Sequence, residues 1–198
     1  MTKVGVLAIQ GDFLEHRLMI QGLGVDAPEV RLGKDLEGLD GLVIPGGEST
    51  TIVQLLDIFD MRNTVVGLVQ EGMPVWGTCA GMIVLADRLT DHRPEPLHLI
   101  DIEVSRNAFG SQVDSFEADL EVDGIDGTPF RAVFIRAPVV TTVGRGVNVL
   151  ARLPDGRPVA VRENDMLATA FHPELTGDSR VHELFLNIVT GVKEPQPS

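Results

Sequence analysis

The only cysteine of the chain lies in a pattern that suits a nucleophile. Cys79 is central in Gly77-Thr78-Cys79-Ala80-Gly81, which follows the apolar pair Val75-Trp76 and precedes the helix-forming run 82–86. Glycines on both sides permit a sharp strand-to-helix turn that presents a nucleophile above a sheet. Free amides at a helix N-terminus also favour a thiolate. The alternative is a buried, unreactive thiol, and the pattern favours the nucleophile.

A cysteine nucleophile needs a base, and His172 is the best placed of the five histidines. It ends a strand-like segment and is followed by Pro173 and Glu174. In an extended segment, side chains two apart point the same way, and proline restricts the backbone between them. Glu174 can then bond one imidazole nitrogen and leave the other for Cys79. The sequence predicts a Cys-His-Glu triad, whereas His16 is interpreted as a solvated or capping residue.

Alternating strand and helix patterns must position these residues. Apolar runs predict early strands at 3–9, 29–32, 39–45 and 75–78, and amphipathic segments predict helices at 13–23, 52–59 and 63–70. The first helix is expected to bury Leu14, Leu18 and Met19. This order is typical of an α/β fold with a parallel, doubly wound sheet. Later strands are predicted at 99–104, 115–122, 132–135, 147–153, 158–162 and 166–170, with a hairpin turn at 154–157 and a closing helix at 180–189.

A glycine-rich turn follows the third predicted strand. Gly46 and Gly47 precede Glu48, Ser49 and Thr50, and a helix follows. Open α/β sheets bind ligands at the carboxyl ends of their strands, so this turn is a candidate binding loop. The alternative is an ordinary capped helix with Ser49 or Thr50 as N-cap. Paired glycines beside Glu48 exceed what a cap needs and favour binding.

Composition narrows the remaining possibilities. The chain has 198 residues and a net charge of −13, which disfavours nucleic acid and anionic membrane surfaces as partners. A single cysteine excludes an internal disulfide, and neither a signal peptide nor a membrane span is evident, so a cytoplasmic protein is expected. Metal-binding and dinucleotide-binding motifs are absent from the sequence. We expect one domain over residues 1–192 and a disordered tail at 193–198.

Several sequence strings together resemble one enzyme family. They are residues 5–12 (GVLAIQGD), 45–51 (PGGESTT), 77–81 (GTCAG), 106–110 (RNAFG), 112–118 (QVDSFEA), 134–138 (FIRAP) and 171–176 (FHPELT). The chain resembles the class I, triad-type glutamine amidotransferases, and within them the glutaminase subunits of pyridoxal 5'-phosphate synthases. The resemblance covers residues 3 to about 189. It implies a flavodoxin-like three-layer sandwich, with a mostly parallel central sheet and added antiparallel strands in the C-terminal half.

The resemblance also implies roles for individual residues. Cys79 is expected to be the nucleophile, His172 the general base and Glu174 its orienting carboxylate. The residues expected to hold glutamine are Gly47, Glu48, Ser49, Arg106, Ile135 and Arg136. The residues expected around the oxyanion are Gln10, Gly47 and Ala80. A glutamine head group carries an ammonium and a carboxylate, so an acidic and a basic side chain are complementary to it.

The implied reaction is hydrolysis of L-glutamine to L-glutamate and ammonia through a cysteine thioester. The ammonia is expected to pass to a partner synthase subunit, which makes pyridoxal 5'-phosphate from a pentose phosphate and a triose phosphate. Docking of that partner is expected to activate the glutaminase, and no cofactor is expected in this subunit. Ser111 replaces an arginine that is usual in the family. The alternatives are a cysteine hydrolase or peptidase of the same superfamily and a catalytically silent binding subunit.

Overall fold

A seven-stranded sheet forms the centre of the molecule. The computed structural model describes residues 2–106 and 115–192. Its strands are β1 (Val4–Leu7), β2 (Glu29–Val30), β3 (Gly41–Ile44), β4 (Val75–Thr78), β5 (Ala86–Leu89), β6 (Ile100–Ser105), β7 (Ser115–Leu120), β8 (Phe130–Ile135), β9 (Val139–Val143), β10 (Asn148–Arg152), β11 (Pro158–Glu163) and β12 (Met166–Thr169). The helices are α1 (Phe13–Gly22), α2 (Ser49–Ile58), α3 (Arg62–Gln70), α4 (Ala80–Leu85) and α5 (Arg180–Thr190).

The order of the strands confirms the predicted fold class. Five neighbouring strands run parallel in the order β2-β1-β3-β4-β12, which is the flavodoxin-like order. Strand β11 extends this sheet antiparallel to β12, and β10 pairs antiparallel with β11 through the predicted turn at 154–157. Strands β5, β6 and β9 form a second sheet, and β7 pairs with β8. The antiparallel additions therefore lie in the C-terminal half, as expected.

Three of the parallel strands are buried along their whole length. Every residue of β1, β3 and β4 is buried, which explains why these segments read as continuous apolar runs. Trp76 at the centre of β4 is fully buried and packs edge-on against the rings of His16 and His182. These two rings come from α1 and α5. The core beneath the parallel sheet therefore contains imidazoles as well as hydrocarbon.

Helix α1 faces the core with a different side from the one predicted. Its buried residues are His16 and Ile20, whereas Leu14 and Leu18 are 49% and 60% exposed. The prediction of a buried stripe of Leu14, Leu18 and Met19 is wrong, and so is the interpretation of His16 as solvated or capping. His16 can be buried because it meets hydrogen-bond partners on two other elements.

Smaller differences concern strands and boundaries. Strands β5 and β9 were not predicted. The N-cap of α2 is Glu48 and not Ser49 or Thr50, because the Glu48 carboxylate accepts a hydrogen bond from the amide of Thr50. Ser111 and the predicted tail at 193–198 lie outside the described residues. Within the described part of the chain, no helix combines the length and the apolar character needed to cross a bilayer.

Candidate active site

Four parallel strands end at one edge of the sheet and bring the predicted residues together. Gln10 and Asp12 follow β1, the glycine-rich turn follows β3, Cys79 follows β4, and His172 follows β12. Backbone hydrogen bonds connect these segments: the Asp12 amide donates to the Gly46 carbonyl at 3.0 Å, and the Cys79 amide donates to the Thr169 carbonyl at 2.8 Å. This edge is where open α/β sheets bind their ligands.

Cys79 occupies a strained turn between β4 and α4. Its φ of 49° lies in the left-handed region, which is uncommon for a residue with a side chain. The flanking glycines permit the turn, because a Cβ on Gly77 would lie 2.4 Å from the backbone of Gly81. The Cys79 side chain is largely buried, and its Sγ lies 3.8 Å from the Ile135 carbonyl oxygen. The nucleophile-elbow geometry is therefore present.

His172 joins Cys79 to Glu174. Its Nδ1 lies 2.7 Å from Glu174 Oε1, which leaves Nε2 available to the Cys79 thiol, the other group that raises the pKa of the ring. Pro173 and Glu174 belong to a short 3₁₀ turn (Pro173–Leu175) and not to the extended segment that was predicted. Pro173 begins this turn, and the turn places the Glu174 carboxylate next to the His172 imidazole. The side chains of His172 and Glu174 are 5% and 0% exposed.

Burial and charge act in opposite directions on the two ionisable partners. Burial alone would lower the pKa of His172, but its hydrogen bonds to Cys79 and Glu174 and the attraction of their charges raise it to about 10. Burial alone would raise the pKa of Glu174, but His16 and then His172 hold it well below its usual range. At neutral pH the site therefore contains an imidazolium and an ionised carboxylate.

The glycine-rich turn packs tightly against the first strand's end. The Glu48 amide donates to Gln10 Oε1 at 2.8 Å, so the Gln10 side chain lies directly on the turn. A Cβ on Gly47, whose φ is +154°, would lie 2.3 Å from that same oxygen. Ser49 begins α2 and is buried, whereas Gly47 and Glu48 are exposed. Only glycine at position 47 allows this approach.

Two arginines, Arg106 and Arg136, also border the site. Arg106 is fixed by Asp91, which accepts from its Nε at 2.8 Å, and by Thr50 Oγ1, which accepts from Nη1 at 3.2 Å. Arg136 is exposed and has a φ of 41°, directly after the β8 residue Ile135. The left-handed backbone at Arg136 turns the chain sharply where β8 ends.

A cleft of about 620 Å³ lies between these segments. It is lined by Gln10, Asp12, Gly47, Glu48, Ser49, Cys79, Ala80, Ile83, Arg106, Ile135, Arg136 and His172. Every predicted site residue except Glu174 lines it, and Glu174 lies behind His172. The sequence reasoning missed Asp12 and Ile83. Asp12 belongs to the quoted GVLAIQGD string, and its position two residues after Gln10 was the available signal.

Asp12 lies beside His172 and Glu174 and completes a cluster of three possible metal ligands. Asp12, His172 and Glu174 place ligand atoms within 4.8 Å of one another, and Asp12 Oδ2 lies 3.7 Å from His172 Nδ1. However, His172 Nδ1 and Glu174 Oε1 are already hydrogen-bonded to each other. A cation at this point would displace a proton from a cationic imidazole, so the donor set fits a metal poorly.

Two buried histidines stand behind the triad and were not predicted as part of the site. His16 and His182 are fully buried, and His16 Nδ1 lies 3.0 Å from His182 Nε2. The Nε2 atom of His16 lies 3.1 Å from Thr78 Oγ1 and 3.2 Å from Glu174 Oε2. Burial, followed by the influence of His16, lowers the pKa of His182 to about 3, so this ring is neutral at neutral pH.

Residues 6–191 match the profile of the SNO glutamine amidotransferase family. The chain belongs to this family. It is 56% identical over 193 residues to a pyridoxal 5'-phosphate synthase subunit PdxT of Dehalococcoides mccartyi, covering 96% of this chain and 99% of that protein. It is 58% identical over 189 residues to a protein of the same name from a Parafrankia species, covering 94% and 93% of the two chains. A solved structure described as a glutamine amidotransferase matches with a TM-score of 0.89 and 50% identity over 94% of this chain and 98% of that one.

Proposed function

We propose that this chain hydrolyses L-glutamine to L-glutamate and ammonia, as the glutaminase subunit of a pyridoxal 5'-phosphate synthase. One observation carries the proposal: Cys79 and His172 line the same cleft, with His172 hydrogen-bonded to Glu174 behind it, in a chain of an amidotransferase family. The proposal treats residues 1–192 as one amidotransferase domain, because the triad draws on β4 near the middle of the chain and on the segment after β12.

The proposed reaction proceeds through a thioester on Cys79. The thiolate attacks the carboxamide carbon of glutamine, which forms a C–S bond and a tetrahedral oxyanion. The C–N bond then breaks while His172 gives its Nε2 proton to the leaving nitrogen, and ammonia departs. Water attacks the thioester as His172 takes one of its protons, the C–S bond breaks, and glutamate leaves with the thiolate restored. Glu174 keeps the imidazole in the required tautomer and orientation.

Backbone amides at two helix starts are proposed to hold the oxyanion. Helix α4 begins at Ala80, so the amide of Ala80 has no acceptor within the helix, and Ala80 lines the cleft. The amide of Gly47 is the proposed second donor. Gln10 is proposed to influence this second donor, since its side chain hydrogen-bonds the neighbouring amide of Glu48.

The head group of glutamine is proposed to lie between the glycine-rich turn and the arginines. Glu48 offers a carboxylate to the ammonium group, and Arg106 offers a guanidinium to the carboxylate. Asp91 and Thr50 fix the orientation of Arg106, which reduces the entropy that binding must remove. The Ile135 carbonyl, Arg136 and Ser49 complete the proposed pocket from neighbouring positions in the cleft.

A synthase subunit is the proposed recipient of the ammonia. The relatives are named as subunits of pyridoxal 5'-phosphate synthase, so a partner that uses a pentose phosphate and a triose phosphate is proposed here too. Exposed leucines near the site support a docking surface: Leu14 and Leu18 lie on α1, and Leu175 lies on the 3₁₀ turn that packs against α1. A thiol nucleophile also needs reducing surroundings, so we place the reaction in the cytoplasm.

Glutamate release by the wild type and by Cys79→Ala, each with and without a synthase subunit, tests the proposal. The wild type should be most active with the synthase, and the variant should lose at least about a thousandfold because the thioester cannot form. A glutamine analogue that alkylates thiols should label the wild type at Cys79 alone. Equal activity of the variant contradicts the proposal. Turnover of esters or peptides without glutaminase activity would favour a cysteine hydrolase. Docking to the synthase subunit without any turnover would favour a catalytically silent subunit.

A further inference from the structure

The carboxylate of Glu174 faces two histidines, one on each oxygen. Oε1 lies 2.7 Å from His172 Nδ1, and Oε2 lies 3.2 Å from His16 Nε2. The side chains of Glu174 and His16 are both 0% exposed, so water does not solvate the second oxygen. Among the described residues, no group makes a well-aligned hydrogen bond to Oε2, and its ion-pair contact is with His16 Nε2. A buried carboxylate oxygen without a donor is costly, so His16 is the group that offsets this cost.

Helix α1 is shaped around this contact. The helix exposes Leu14 and Leu18 to solvent while it buries His16, which reverses the usual preference for apolar burial. A buried imidazole is retained against that preference when its hydrogen bonds are needed. The Nε2 atom of His16 lies between two acceptors, Thr78 Oγ1 at 3.1 Å and Glu174 Oε2 at 3.2 Å. Both acceptors belong to segments that border Cys79 and His172.

We infer that His16 is a positioning residue for the proposed glutaminase reaction, which it serves by holding Oε2 of Glu174 so that Oε1 stays on His172. The inference rests on the proposed function, because it assigns His16 a part in that triad. His16 does not line the cleft and touches neither the substrate site nor the thiol. It acts through Glu174, which acts through His172 on Cys79.

The hydrogen positions required by this arrangement are definite. An ionised carboxylate only accepts hydrogen bonds, so His16 must carry a hydrogen on Nε2. His182 is neutral and supports the other side of the ring, where its Nε2 lies 3.0 Å from His16 Nδ1. When His182 Nε2–H donates to His16 Nδ1, a neutral His16 ring carries its hydrogen on Nε2, whereas donation from Nδ1 as well requires an imidazolium. The ring of His16 is therefore fixed from both sides and cannot turn away from Glu174.

Removing His16 should weaken the ion pair at the thiol. Without a donor, the buried Oε2 favours a protonated carboxyl group, since burial raises the pKa of Glu174 and His16 lowers it. A protonated Glu174 no longer stabilises the His172 imidazolium beside Cys79. The titratable groups that face this carboxylate are His16 and Asp12 at α1, His172 on the same turn and His182 on α5, while Cys79 faces the far side of His172. Of these groups, His16 forms the ion pair with Oε2.

Two substitutions at position 16 and one control separate positioning from packing. His16→Asn removes the donor toward Glu174 but keeps a polar side chain toward His182, whereas His16→Gln carries an amide N–H near the position of Nε2. Val65→Ala is the control, because it removes buried hydrocarbon from α3, a helix that contributes no residue to the cleft. Each is measured by glutamine turnover with the synthase, by the pH dependence of Cys79 alkylation with iodoacetamide, and by Tm.

His16→Asn should lower kcat about tenfold or more while KM stays within about threefold. The pH midpoint of alkylation should rise, and His16→Gln should recover most of both changes. Val65→Ala should lower Tm while kcat and the alkylation midpoint stay at wild-type values. A folded His16→Asn variant with the wild-type kcat and alkylation profile overturns the inference. Equal losses of kcat in His16→Asn and Val65→Ala also overturn it, because they indicate a general effect of lost packing.

A measurement on the wild type covers the case in which His16→Asn does not fold. Nitrogen-15 NMR of the histidine side chains, with His16 assigned through His16→Gln, should show a hydrogen on Nε2 at pH 7. A bare Nε2 would make the inference wrong. If the wild type and the synthase release no glutamate, the proposed function fails instead, and the alkylation comparison still decides whether His16 acts on the thiol.

Discussion

Gly46 touches the imidazole of His172 so closely that no side chain fits between them. A Cβ on Gly46 would lie 2.4 Å from His172 Cε1 and 3.0 Å from Nδ1. Gly46→Ala should therefore displace the ring from Glu174 or Cys79 and lower kcat about tenfold or more, with a smaller change in KM. Steady-state glutaminase kinetics with the synthase measure this.

The matched control for this substitution is Gly22→Ala at the end of α1, where an added Cβ meets nothing within 4 Å. Its kcat should equal that of the wild type. If Gly46→Ala also retains the wild-type kcat, the imidazole is not held as tightly as the close approach indicates. A loss in both variants would point to a general effect of the substitutions.

At the scale of single residues, the sequence predicted the cleft side chains well and the buried support poorly. Cys79 and the His172–Glu174 pair could be identified because their patterns are local, within five residues in each case. His16 could not, since its partners Thr78 and Glu174 lie 62 and 158 positions further along the chain. Periodicity favoured the leucines of α1 as the buried face, and periodicity carries no information about distant hydrogen-bond partners.

At the scale of elements, the contact between α4 and β3 depends on Gly81. A Cβ at this position would lie 2.1 Å from the Ile44 carbonyl oxygen and 3.0 Å from its carbon, and both are backbone atoms in the central sheet. Gly81→Ala must therefore push α4 away from β3. We expect it to lower the free energy of unfolding by about 2–3 kcal/mol or more, measured by urea denaturation.

Gly67→Ala in α3 provides the opposite case. Nothing lies within 4 Å of an added Cβ there, and alanine is the better helix former. This substitution should raise the free energy of unfolding by up to about 1 kcal/mol and leave kcat unchanged. If Gly81→Ala were as stable as Gly67→Ala, the close packing of the elbow on β3 would not contribute to stability.

The helices and parallel strands were the most predictable elements. Strands β1, β3 and β4 are continuous apolar runs, so their existence follows from composition alone, as with Val75–Thr78. Strand β5 (Ala86–Leu89) directly follows α4, and its first residue was assigned to the helix-forming run 82–86. Strand β9 lacks an alternating pattern, because Val139 and Val140 are both buried. The turn after His172 was predicted as extended, since sequence spacing does not distinguish a strand end from a 3₁₀ turn.

At the scale of the molecule, the site exists because β12 inserts beside β4. Between these strands the chain forms the second sheet (β5, β6 and β9) and the antiparallel pairs β7–β8 and β10–β11. Strand β12 then pairs with β4 in parallel, with Thr169 opposite Thr78, so Cys79 and the segment that carries His172 leave the sheet side by side. The parallel class was predictable from the alternating pattern. The pairing of two strands about 90 residues apart was not, because strand order depends on long-range contacts that no local pattern encodes.

His182 should make the stability of the whole molecule sensitive to mild acid. Burial lowers its pKa from an ordinary 6.5 to about 3, so between these values the unfolded chain binds a proton at this residue and the folded chain does not. The stability from neutral burial is complete above pH 6.5 and declines as the pH falls toward 3. His182→Gln cannot titrate, so from pH 7 to pH 5 the wild type should lose about 2 kcal/mol more than this variant in urea unfolding. A difference between the two proteins that stays constant over this range would show that the imidazole is protonated or solvated in the folded state.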